Sequence, residues 1–100
     1  MRARSQYDAA TSVVASVINA WDPYSLLGGG APRNEFDAEI TRLVASIPRI
    51  HSAVDAANKI AEIFSAAFEP AYFTPAACAD VGVQLFDRLQ QAGLLSPREV

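Results

Sequence analysis

Apolar residues recur every three or four positions in four separate segments of this chain, and in no segment do they keep up an alternation with polar ones. That period confines the backbone to helices that each bury one face, and it leaves no strand pattern. The first stripe is Ala10, Val13, Val14, Val17, Ile18 and Trp21. It predicts a helix from Ser5 or Gln6 to about Ala20, with Ser5 and Asp8 at capping-box spacing. The second is Phe36, Ile40, Leu43, Val44 and Ile47, in a helix from Glu35 to about Ile47 that Pro48 ends. Glu35, Glu39 and Arg42 fall on its polar face, where Glu39 and Arg42 have the spacing of an ion pair.

The third stripe opens after a cap formed by Ser52 and Asp55. It runs through Val54, Ala57, Ile60, Ala61, Ile63, Phe64, Ala67 and Phe68, and Glu69-Pro70 closes it. Being the widest, it places this helix at the centre of the fold. Ala71 to Phe73 supplies a packing knuckle. Thr74-Pro75 then reads as the N-cap and first position of a fourth helix, whose stripe is Cys78, Val81, Gly82, Leu85, Phe86 and Leu89. Gly93 has the place of a C′ residue, with Leu94 as its apolar partner. Short connections favour antiparallel neighbours, so the expected architecture is all-α, a small four-helix domain. The length fits a single domain over residues 1–100, with frayed tails at 1–4 and 96–100.

One stretch is not explained by helix packing: Trp21 to Asp37, WDPYSLLGGGAPRNEFD. Asp22-Pro23 has the form of an N-cap and first helical position. Gly28, Gly29 and Gly30 stop any short turn begun there, and Pro32 stiffens the exit. Asn34 takes the N-cap place of the second helix, with Glu35 and Asp37 in its first turn against the positive end of the dipole. Trp21, Leu26, Leu27 and Phe36 give the stretch apolar anchors. The expectation is an ordered Gly/Pro loop between the first two helices, with Trp21 largely buried.

This stretch also carries a resemblance. W-D-P-aromatic-x-L-L, followed by G-A-P and N-E-F-D, resembles the YugE-like family of small bacterial proteins of unknown function. The last element is Asn34-Glu35-Phe36-Asp37 here, where the family has an acid, Glu, Tyr and Asp. The resemblance implies a small helical domain and no established activity.

Charge and residue usage exclude several classes of function. A net charge of -3 argues against general binding to nucleic acid or to anionic membranes, and permits a basic protein partner. Cys78 and His51 are each the only residue of their type, which excludes a disulfide framework and Cys- or His-rich metal sites. No apolar run approaches the roughly 20 residues of a membrane span, and MRARSQYD lacks the apolar core of a secretory signal, so a cytoplasmic location is the default.

The acids Asp22, Glu35, Asp37 and Glu39 form the one cluster dense enough for a hard cation, but capping and dipole roles account for three of them. The glycine run lacks the Lys and Ser or Thr of a phosphate loop. Cys78 falls on an inward stripe, where a free thiol is an inert small hydrophobe, and His51 lies in a connection. Tyr7, Tyr24 and Tyr72 read as residues at the edge of a core. With no catalytic constellation, the expectation is a non-enzymatic module with no metal or cofactor, binding a protein partner through Asp22, Tyr24, Glu35, Asp37 and Glu39. The sharpest form of that expectation is an immunity- or antitoxin-type inhibitor covering a basic surface. The alternative is a small-ligand or divalent-cation regulator using Asp22 and Asp37.

Overall fold

The computed structural model describes residues 4–23, 28–30, 35–68 and 72–95. Four helices follow one another: α1 over Arg4–Trp21, α2 over Asp37–Ser46, α3 over Ala53–Ala67 and α4 over Ala79–Gln91. No strand occurs among the described residues. α1 packs on α2 and α4, and α3 packs on the same two helices. The four therefore close into a ring. α3 is not the central helix its wide stripe predicts, although its contact with α4 is the most extensive of the four.

The core is built from the predicted stripes. Ala10, Val14, Val17 and Ile18 of α1, Ile40, Leu43 and Val44 of α2, Ile60, Ala61 and Phe64 of α3, and Val81, Leu85 and Leu89 of α4 are all buried. Phe64 is the hub of an aromatic cluster that draws on several segments. Its ring centroid lies 5.3 Å from Trp21, 6.1 Å from Phe36, 5.8 Å from Phe68 and 5.4 Å from Phe73. Ring pairs at these separations add to the area they bury. Ser65 ties Phe73 down from the backbone side, its hydroxyl donating to the Phe73 carbonyl at 2.9 Å. The expected knuckle thus forms at Phe73, while Tyr72 beside it is 55% exposed.

Helix ends depart from expectation more than helix faces do. α1 is already running at Arg4, so Ser5 lies inside its first turn and is not its N-cap. α2 starts at Asp37, with the buried Phe36 in the N-cap place and no side-chain cap; the predicted cap, Asn34, lies outside the described residues. Pro48 ends α2 as expected, within a 3-10 turn over Ile47–Arg49 that buries Ile47. Ile50, between that turn and α3, is buried as well. At α3 the cap forms. The Asp55 amide donates to Ser52 Oγ at 3.1 Å, and Asp55 Oδ2 accepts from the His51 amide at 2.9 Å.

The start of α4 is displaced for a visible reason. Thr74 Oγ1 accepts from the Ala77 amide at 3.1 Å, and the Cys78 amide donates to the Thr74 carbonyl. Thr74 therefore caps a separate single turn, and regular helix begins only at Ala79. At the other end the Leu94 amide reaches the Leu89 carbonyl and the Gly93 amide the Gln90 carbonyl, with Gly93 at φ +70°. This is the full Schellman pattern, with Gly93 as C′. The tails 1–3 and 96–100 lie outside the described residues.

Candidate functional site

The residues around the loop divide once their surroundings are known. Asp22 has φ +46°, the left-handed region that Asp enters more readily than most side chains. Its amide donates to the Ile18 carbonyl at 2.9 Å, which closes α1. Its Oδ2 accepts from the Gly28 amide at 2.9 Å. The expected N-cap role thus gives way to a different one: Asp22 stops α1 and clasps the first glycine of the loop back to it. Gly28 to Gly30 are exposed, and Gly30 at φ +102° uses a conformation that a side chain would strain.

Glu35 is half-buried in the turn ahead of α2, and Asp37 is exposed at its first position, where a carboxylate opposes the helix dipole. Glu39 corrects the sequence reading, being only 7% exposed. It sits three residues after Phe36 and four before Leu43, on the ridge that faces the core, so it does not belong to a solvent-facing surface. It forms no ion pair with Arg42; the exposed-face pair that does form is Lys59 with Glu62 at 3.3 Å. Tyr24, and with it much of the expected ordered loop, lies outside the described residues.

Cys78 is fully buried, and burial pushes its thiol up from the ordinary value, so the reactive thiolate is disfavoured. His51 is exposed and engaged through its backbone. Among the described residues no three His, Cys, Asp or Glu side chains come together as a metal-holding group. No helix among them is long and apolar enough to cross a membrane.

Two surface features have no counterpart in the sequence reading. In the first turn of α3, Val54, expected in the core, is 67% exposed. Val54, Ala57, Pro75, Ala76 and Ala79 line an apolar groove of about 300 Å3 there. The second feature lies at the end of α1. Trp21, expected to be largely buried, is half-buried: it packs edgewise on Phe64 and Phe73, and it also borders a cleft of about 270 Å3 against α4. Only the position of Trp21 at the end of the first stripe hinted at this, since a stripe does not tell how far its last ring is covered.

Four packed helices with the loop clasp at Asp22 define a small all-α domain. The chain belongs to the family that shares the domain of unknown function DUF1871, which it matches over residues 13–93. No curated protein and no solved structure matches it.

Proposed function

We propose that this chain acts by binding another protein, without catalysis, and that a basic partner docks where the loop meets α2. The observation that supports this is the exposed carboxylate of Asp37 at the first position of α2 with half-buried Glu35 just before it, while Asp22 holds the exposed Gly28 to the end of α1. Functional groups often sit on loops fixed to a rigid scaffold. Acids on such a rim steer a basic partner into contact. Tyr24, outside the described residues, is the aromatic anchor this reading assigns to the surface, and the buried Glu39 is left out of it. Within this reading the sharpest role is an inhibitor of the immunity or antitoxin type. The motif at Trp21–Asp37 also resembles that of the YugE-like proteins, a likeness that supports a small helical domain.

The test compares variants rather than relying on capture alone. A protein retained from cell lysate by wild-type chain should be retained much less by the double variant Glu35→Gln/Asp37→Asn, and the difference should shrink as salt rises. A control at the exposed Val54, in the first turn of α3, should leave retention unchanged. Equal retention by the double variant would overturn the assignment of this surface.

A further inference from the structure

The cleft beside Trp21 has a chemistry that goes beyond a covering surface. Ala20 and Trp21 at the end of α1 form one wall, and Ala77 in the turn ahead of α4 with Asp80, Val81 and Gln84 at its start form the other. The Arg88 guanidinium donates to Ser16 Oγ at 3.1 Å further along the same pair of helices. Ser16 facing Arg88 and Ala20 facing Gln84 means that α1 and α4 run antiparallel, so the cleft lies between the C-terminal end of one and the N-terminal end of the other. The partial charges of those two helix ends oppose each other, about half a charge of each sign, and this leaves the exposed Asp80 carboxylate as the net charge of the site. Arg88, the basic residue on this face of α4, is two turns beyond Asp80 and held by Ser16, so it does not neutralise that carboxylate.

We propose that this cleft receives one cationic side chain of a partner protein, arginine in preference to lysine. At about 270 Å3 it falls below the range typical of cofactor and drug-sized ligand pockets and suits a single long side chain. An indole wall attracts a cation and packs its aliphatic stem. Asp80 supplies the opposite charge, and the Gln84 amide oxygen a second acceptor. A guanidinium is planar and carries several donors, so it can meet an aromatic wall and two acceptors at once, which an ammonium does less well. The inference draws on the basic-partner reading only for the source of the side chain; the chemistry of the cleft stands on its own residues.

The probe is the blocked tripeptide acetyl-Ala-Arg-Ala-amide, titrated into the whole chain and followed by amide and indole nuclear magnetic resonance. Trp21 is the only tryptophan, so its indole N–H gives one unambiguous signal from a residue that lines the cleft. Saturable shifts centred on Trp21, Ala77 and Gln84 are expected, weaker with lysine in place of arginine and weakened by salt. Asp80→Asn, at an exposed position, should lower affinity about fivefold or more while the rest of the spectrum stays in place. Gln84→Ala should lower it by a smaller factor. Absence of saturation, equal binding by the uncharged citrulline tripeptide, or unchanged affinity in Asp80→Asn would each overturn the proposal. No partner is needed here, so failure of the cleft and failure of the Glu35–Asp37 surface are read separately.

Discussion

A Cβ built on Gly82 would fall 2.8 Å from the backbone of Ala57, so α4 crosses α3 at a distance that only glycine permits. In an isolated helix, replacing an interior glycine with alanine gains about 1 kcal/mol. Here the added methyl meets backbone, which does not yield as a flexible side chain would. Gly82→Ala is therefore expected to destabilise by about 1–3 kcal/mol in chemical denaturation, the reverse of its propensity effect. A stabilised variant would show that the two helices separate easily.

The aromatic hub and the uncovered end of α3 make opposite predictions for two residues of one stripe. Phe64 is fully buried and touches four other rings. Phe64→Ala should cost about 3–5 kcal/mol, a large part of the total stability of a domain this size. Val54→Thr should stay within about 0.5 kcal/mol, as a surface change does. Thermal melts of the two variants check both. A large loss at Val54 would mean that the groove beside it is closed in solution.

Helix faces were legible in the sequence because burial follows the 3.6-residue period, and the stripes of α1 and α4 hold almost residue for residue. Ends and rims were not. Thr74-Pro75 has the chemistry of a helix start, yet it caps a turn of its own, and Val54, in the stripe of α3, is exposed beside that turn. Polarity alone puts Glu39 on the outer face, although its spacing from Phe36 and Leu43 sets it on the inner ridge, where it is 7% exposed. Asp22-Pro23 fits a cap motif, but the left-handed backbone at Asp22 sends the carboxylate six residues on to Gly28. Of the predicted contact residues among those described, Asp37 is exposed, Asp22 and Glu35 are half-buried and Glu39 is buried. The cleft at Trp21 depends on how two distant helix ends meet, which no local pattern encodes.

The clasp at Asp22 can be separated into its two parts. Asp22→Ala loses the bond to Gly28 and places alanine in the left-handed region, for an expected total of about 1–2 kcal/mol. Asp22→Gly loses the same side chain but removes the backbone strain, so it should cost less. Denaturation midpoints of the pair check this. If alanine proves the milder of the two, the positive φ at position 22 does not persist in solution.

Burial of Cys78 gives stability a dependence on alkaline pH. Its thiol is raised from the ordinary 9.0, so above that value the unfolded chain ionises first and gains. The contribution is therefore fully present below about pH 9 and declines as pH rises from the unfolded value towards the folded one. Melting curves between pH 7 and 11 should show a steeper alkaline loss for wild type than for Cys78→Ala. Parallel curves would mean that the thiol is open to water. The same burial predicts slow labelling by a thiol reagent at pH 8 until denaturant is added.

The central claim is that acids at the loop end of α2 recruit a basic partner, and association kinetics test it most directly. For the protein captured by wild-type chain, the association rate should fall as ionic strength rises. In Glu35→Gln/Asp37→Asn the rate at low salt should drop roughly three- to tenfold, its salt dependence should flatten, and the dissociation rate should change little. An association rate unchanged by the double substitution, with the same salt dependence as wild type, would contradict the account.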